Sequence, residues 1–236
     1  MKLKAIIFDF FGTLVHNFSL LEHERVLSEM AKVLSIPRND FAQIWVATFS
    51  NRATGVFRTV EENIEYACRA LDCRVIAAKI KAAGDIRRRY YQHTLTPRRG
   101  VLSVLAQLRA EGYKIGLISD CSSELPDVWS STPFASLVDA PVFSCQVGVR
   151  KPDPKIYLFA CQQLDVKPQD CLYIGDGSSR ELTGAAAVGM KALLLRVPHE
   201  DTQHIPRIDM DEWTGPSISD LRHIAAIVKP NKKSEA

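Results

Sequence analysis

The stretch IIFDFFGTLV, residues 6–15, decides how the rest of the chain is read. An apolar run leads into Asp9, two phenylalanines follow, and Gly12-Thr13 ends the run. Ile and Phe without polar alternation suit a strand buried on both faces, as in a parallel sheet covered by helices. A carboxylate closing such a strand lies where ligands meet these sheets, and the Gly-Thr turn leaves room for an anion.

KAIIFDF (4–10) is therefore the first expected strand, and KIGLIS (114–119), PVFS (141–144), CLYIGD (171–176) and KALLLRV (191–197) share its texture. Between them VLSVLAQLRAEGY, DPKIYLFACQQL and SRELTGAAAVG read as helices, the first and last ended by Gly112 and Gly189. Strands separated by helices predict a parallel sheet with right-handed crossovers, an α/β Rossmann-like core. Before LTPRRG (95–100) the texture differs: LLEHERVLSEMAKVL, NDFAQIWVATF, VEENIEYACRAL and VIAAKIKAAGDIRRRYY repeat apolar residues at three- and four-residue spacing. Asn39-Asp40 and Thr59 are placed as N-terminal caps. The expected organisation is a discontinuous core, residues 1–15 and 95–228, a helical bundle inserted over 16–94, and a flexible tail, 229–236.

The chain has 236 residues, with 30 Lys and Arg against 27 Asp and Glu, a net charge of +3. That excess is spread along the chain without aromatic-basic interleaving, which argues against a nucleic-acid partner. No apolar stretch approaches the roughly 18 residues that span a bilayer, and no leader pattern opens the chain, so a cytoplasmic protein without a membrane partner is expected. The six cysteines form no CxxC pair and are expected to be buried free thiols. Trp45 and Phe49, four apart, are expected in the core of the insertion, and Trp213 is expected to pack the C-terminal segment onto the sheet. GPSISDLRHIAAIV reads as a closing helix capped by Ser217 or Ser219. The His199-Glu200-Asp201-His204 cluster lacks the spacing of a defined metal site.

Ligands of parallel sheets bind at the carboxyl ends of strands, so the polar residues there are the ones to inspect. Asp9 ends the first strand, Ser119 the second and Asp176 a later one, while Lys151 lies in the RKPDP loop before a helix. A carboxylate nucleophile, a hydroxyl donor, a cation and a second carboxylate able to share a metal form a coherent set for displacement on an anionic substrate.

These motifs resemble those of the haloacid dehalogenase superfamily of aspartate-nucleophile hydrolases. Asp9-Phe10-Phe11-Gly12-Thr13 resembles its DxDGT motif except at the second Asp. LISD supplies Ser119, VGVRKPDP supplies Lys151, and IGDGSSRELTGA supplies Asp176 and Glu181. The resemblance implies that residues 16–94 are a mobile helical cap and that the substrate is a small, phosphorylated molecule. It implies Asp9, Ser119, Lys151 and Thr13 as the catalytic set, and Mg²⁺ held by Asp9, the Phe11 carbonyl and Asp176, with Glu181 a fourth metal residue able to reach a metal-bound water. Gly12 would border the bound anion. A monomer or homodimer fits equally.

Phe11 stands where family phosphatases carry a general acid and base, a group worth about 10²- to 10⁴-fold in rate. Three readings follow: a phosphatase or phosphotransferase acting on good leaving groups; a 2-haloacid dehalogenase, whose family members carry an aromatic residue at this position; or a weakly active ligand-binding relative. The acids retained at 176 and 181 favour the first. His16, just past the motif, has the chemistry of a replacement proton donor. Asp120 is a candidate substrate contact, or a hydrogen-bond partner of the loop backbone. Arg52 and Arg58 flank a loop of the insertion, where a basic residue would suit a second anionic group on the substrate; Arg25, Arg38 and Arg52 are candidates for the arginine that family dehalogenases use on halide or carboxylate, none an unambiguous match.

Overall fold

The computed structural model describes residues 3–17, 19–198, 209 and 212–228. Six parallel strands form one sheet: β1 (Ala5–Phe8), β2 (Lys114–Ser119), β3 (Ala140–Phe143), β4 (Cys171–Gly175), β5 (Lys191–Leu195) and β6 (Ser217–Ile218). Their order is β3-β2-β1-β4-β5-β6, so the winding reverses beside β1 and opens a crevice at its carboxyl end. Phe8 pairs with Leu117 of β2 and with Ile174 of β4, which brings the ends of these three strands to one level. Pro141, which has no N–H for a ladder, is tolerated because β3 is an edge strand.

Alternation within the buried strands splits the core between two faces. Ile6 and Phe8 join one apolar cluster, and Ala5 and Ile7 the other. Helices α9 (Pro154–Gln163) and α10 (Glu181–Ala187) cover the second face. The first cluster continues into five helices between β1 and β2: α1 (Leu20–Leu34), α2 (Arg38–Ala47), α3 (Phe49–Ala53), α4 (Val60–Ala70) and α5 (Ala77–Thr94). Three short or connecting helices complete the sheet flank before β4: α6 (Val101–Ala110), α7 (Glu124–Trp129) and α8 (Ser144–Val147). A last turn, α11 (Ile224–Ile227), follows β6.

Local chemistry explains several boundaries. Ser19 and Thr59 accept the N–H groups of Glu22 and Glu62 at 3.3 and 3.1 Å, capping α1 and α4. Asp153 caps α9, with Pro154 as its first residue. The expected cap at Asn39-Asp40 is not used: α2 starts directly after Pro37, and both residues lie in its first turn, where Asp40 faces the positive end of the helix. A single helix over 39–49 is also not formed. The Thr48 hydroxyl bonds back to the Ile44 carbonyl at 2.8 Å, the helix breaks there, and Phe49 turns outward to 41% exposure while Trp45 stays fully buried. At the other end, Ser217 lies in β6 rather than capping a helix, and Asp220, not Ser219, accepts the Arg222 N–H at 2.8 Å. A two-residue strand is too short to show a period in sequence. All six cysteines are free, but Cys73 and Cys145 are only half-buried. Trp213 packs half-buried against the second cluster. The 229–236 tail and the 199–204 cluster lie outside the described residues. Among the described residues no helix is long and apolar enough to cross a membrane.

The insert is joined to the sheet flank by a buried ion pair, Arg87 Nε of α5 to Glu124 Oε1 of α7 at 3.1 Å, with both side chains at most 4% exposed. Arg87 Nη1 also lies 3.3 Å from His23 Nδ1. Burial, and then the Arg87 and Arg52 cations, push the His23 pKa from 6.5 down to about 4. His23 therefore stays neutral in the folded chain while the unfolded chain takes up a proton, and stability falls as pH drops from 6.5 towards 4. His23→Gln is expected to flatten that part of the urea-midpoint profile against pH; an unaltered slope contradicts the assignment. Glu124→Ala strands a buried guanidinium and is expected to cost about 3–5 kcal/mol in urea unfolding.

Candidate functional site

Beyond β1 the chain turns sharply. The Phe10 carbonyl accepts the N–H groups of Leu14 and Val15 at 2.9 and 3.1 Å, and the Gly12 N–H donates to the Val15 carbonyl at 3.0 Å. Gly12 has φ +83°, and a Cβ there would lie 2.0 Å from Asp176 Oδ2, so glycine is required both for the turn and for the approach of β4's acid. Arg98 braces the turn from the far side of the insert, donating to the Gly12 carbonyl at 2.8 Å.

Asp9, delivered by this turn, is 3% exposed. Its Oδ1 accepts from Lys151 Nζ at 2.5 Å and its Oδ2 from the Thr13 hydroxyl at 2.9 Å. Lys151 reaches across from its loop because the Asp120 carboxylate, past the end of β2, accepts the Lys151 backbone N–H at 3.0 Å. Its ammonium also donates to Glu181 Oε2 at 2.6 Å. Glu181 begins α10, and its oxygens are further engaged by the Tyr173 hydroxyl at 2.8 Å and the Gly177 N–H at 3.0 Å. Asp176 Oδ1 accepts the Ser178 N–H at 3.0 Å. Asp9, Asp176 and Glu181 each offer an oxygen within 4.8 Å of the others. Ser119, fully buried at the end of β2, has no nitrogen or oxygen partner for its hydroxyl among the described residues.

Burial dominates the electrostatics. It raises the Asp9 carboxyl to about 6, against the pull of Lys151 and with the repulsion of Asp176 adding to it. Burial and the neighbouring Asp9 likewise push Glu181 well above the ordinary carboxylate range. For Lys151 burial acts downward, but Asp9 and Glu181 more than offset it, and the ammonium is held well above its usual value. One permanent cation thus lies among three acids, a site prepared for more positive charge and for an anion.

The structure brings together Asp9, Gly12, Thr13, Ser119, Lys151, Asp176 and Glu181. Phe11, half-buried, stacks edge-on with Phe10 at 5.0 Å and with Tyr91 of the insert at 6.2 Å. Phe10 is core, packed against Trp129 and Phe134. His16 is exposed, 3.4 Å from Arg98 Nη1. Asp120 faces the loop backbone and, at 3.6 Å, Arg150. Arg52 is buried in the seam between insert and sheet flank, whereas Arg58, Arg25 and Arg38 lie on the surface, the last two paired with Glu29 and Glu24. Sequence reasoning missed Tyr173, Arg98 and Asp209. Buried Asp209, from the segment after β5, accepts the Leu182 and Thr183 N–H groups at 2.7 and 3.0 Å and the Thr183 hydroxyl at 2.5 Å. It caps α10 from a distant part of the chain, a contact without a local signal.

Residues 3–189 match the haloacid dehalogenase-like hydrolase family, and the chain belongs to it. It is 31% identical over 126 residues to a glyceraldehyde 3-phosphate phosphatase of Methanopyrus kandleri, spanning about half, 52%, of each chain. It is 22% identical over 197 residues to (S)-2-haloacid dehalogenase 1 of a Pseudomonas species, covering 81% of this chain and 83% of that one. A HAD phosphatase from Thermococcus onnurineus has the same fold, with a TM-score of 0.67 and 20% identity over 98% of this chain and 100% of that one. The protein is thus a hydrolase of this family.

Asp209→Ala frees two backbone donors and a hydroxyl at the start of α10. It is expected to cost about 2 kcal/mol in urea unfolding, in the range of a lost helix cap with charge-assisted bonds. A loss no larger than that of a surface control contradicts the capping role.

Proposed function

We propose that the protein hydrolyses or transfers the phosphoryl group of a small phosphorylated molecule, with Asp9 as nucleophile and Mg²⁺ as cofactor. The observation that carries this reading is the close approach of Asp176 to the Asp9 turn, over a glycine whose Cβ would occupy the same space. Two acids beside a nucleophile would repel a halocarboxylate; they suit a hard cation bound by oxygen. The donor set fits: Asp9, Asp176 and Glu181 each offer a carboxylate oxygen within 4.8 Å of the others, and the Phe11 carbonyl would join them as the family resemblance implies. Glu181, which like Asp9 has both oxygens engaged, also holds the Lys151 ammonium in place, with Tyr173 and Gly177 fixing its carboxylate. Mg²⁺, when bound, would neutralise charge on the phosphoryl oxygens.

In this reading Asp9 attacks phosphorus in line while the bond to the leaving oxygen breaks, and water then opens the aspartyl-phosphate. Lys151 keeps Asp9 oriented and offsets the charge of the transferring group. Ser119 and Thr13 serve the phosphoryl oxygens and the Asp9 carboxylate, and Gly12 leaves space for the anion. The helices over 16–94 act as a cap that keeps water out. Phe11 can neither donate nor accept a proton, so a leaving group that departs without protonation, an acyl or aryl phosphate, is favoured. Neither His16, exposed against Arg98, nor Asp120, turned to the loop backbone, replaces the acid.

The second reading, dehalogenation, is favoured by the aromatic side chain at position 11 and by the haloacid dehalogenase among the relatives. Phosphate release from acyl, aryl and alkyl phosphates, beside halide release from 2-haloacids, separates the two. Mg²⁺-dependent phosphate release abolished by Asp9→Asn is the expected result; chelator-insensitive halide release would overturn it. Neither activity, with a ligand retained, identifies a binding protein. Phe11→Asp is expected to raise kcat for alkyl phosphates more than for aryl phosphates, by up to about 10²-fold. An equal loss on both would mean that the contact with Tyr91 is what matters at this position.

A further inference from the structure

Two side chains crowd Gly12. A Cβ there would lie 2.0 Å from Asp176 Oδ2 and 2.7 Å from Asn17 Oδ1, so a carboxylate oxygen and an amide oxygen meet over one point of the nucleophile turn. The carboxylate arrives from the end of β4. The amide arrives from the link to the insert. Asn17 stands two residues past Val15, which bridges to Phe11 and Pro97, and two before Ser19, the cap of α1. In sequence a lone Asn between a turn and a helix reads as an ordinary linker residue.

The orientation of the amide is informative. Its oxygen is the end turned to Asp176, and its buried Nδ2 has no hydrogen-bond partner among the described residues. Turned round, the same amide would offer the carboxylate an N–H. As it stands, two acceptors converge while a buried donor goes unused, which costs free energy unless positive charge lies between the oxygens. The cations bonded to this turn donate to other atoms: Lys151 to Asp9 and Glu181, and Arg98 to the Gly12 carbonyl. The Ser178 N–H goes to the other oxygen of Asp176, Oδ1. An amide oxygen beside a carboxylate oxygen is the donor chemistry of a hard divalent cation.

We infer that Asn17 belongs to the cation site, its amide oxygen facing the same Mg²⁺ as the Asp176 carboxylate. This rests on the Mg²⁺ part of the functional reading and on no particular substrate. The link that opens the insert then shares the cation with the end of β4, so the metal fixes the start of the insert as well as the nucleophile turn.

Calorimetric titration of the full chain with Mg²⁺, without substrate, reads the affinity directly. Asn17→Ala should weaken binding by about tenfold or more, the scale on which residues around a metal-binding shell act. Asn17→Asp keeps an oxygen in place and adds a charge, and should bind Mg²⁺ at least as tightly as the wild type. Urea midpoints separate a metal role from a packing role: in chelator Asn17→Ala should match the wild type, while the rise that Mg²⁺ gives the wild type should shrink in the variant. Equal Mg²⁺ affinity in Asn17→Ala and the wild type overturns the inference. Asn17→Asp binding as weakly as Asn17→Ala also overturns it, because the amide N–H rather than the oxygen would then be what serves Asp176. So does a midpoint lost in chelator with the Mg²⁺-dependent rise intact. A wild-type chain that binds no Mg²⁺ refutes the metal reading itself, and the inference with it, before any variant is compared.

Discussion

The ammonium of Lys151 is the charge on which the rest of the site depends. Asp9 and Glu181 both bind it directly, and it is the cation that opposes the rise burial imposes on their carboxyl groups. Its two short bonds, to Asp9 and Glu181, tie the turn after β1 to the first residue of α10. Each neighbouring device serves that placement: Asp120 holds the Lys151 backbone, Tyr173 and Gly177 hold Glu181, and Asp209 holds the helix that carries it. Residues far apart in sequence thus converge on one nitrogen atom.

Phe11 belongs to a different set of interactions. Its main chain lies in the turn that approaches Asp176, while its side chain meets Tyr91 of the insert. The phenyl ring extends the aromatic and guanidinium row of Tyr91, Arg87, Trp45 and Arg52 towards the turn after β1. The ring adds apolar contact between insert and core.

Strands and helices with one dominant period were legible in sequence, as were the acids, hydroxyl and lysine at their ends, because a parallel sheet exposes its strand termini on one side. β6 was not, since two residues show no alternation, nor was the turn at Thr48 that exposes Phe49, since a side chain bonded to its own helix outweighs the apolar spacing there. The partners of Glu181 were hidden for another reason. Tyr173 reads as an ordinary apolar strand residue, and only the folded register places its hydroxyl beside the carboxylate. Arg87 and Glu124, 37 residues apart, and Asp209, 27 residues beyond Leu182, are pairings that no local pattern encodes.

The insert leaves and rejoins the core through neighbouring backbone: Val15 bridges to Phe11 on one side and to Pro97 on the other, and Arg98 N–H donates to the Leu14 carbonyl at 2.9 Å. Some eighty residues therefore leave and return to the sheet at one point, and are tied to its flank a second time by the Arg87–Glu124 pair. Loop-closure entropy grows only with the logarithm of length, so the length of the insert adds little to the cost of closing it, whereas the identity of the helices that share the core cluster and the Arg87–Glu124 pair does matter to the sheet. Changes in the part of the insert that does not touch the sheet flank would therefore leave the register of the strands as it is, whereas changes at α5 would reach Glu124 and α7.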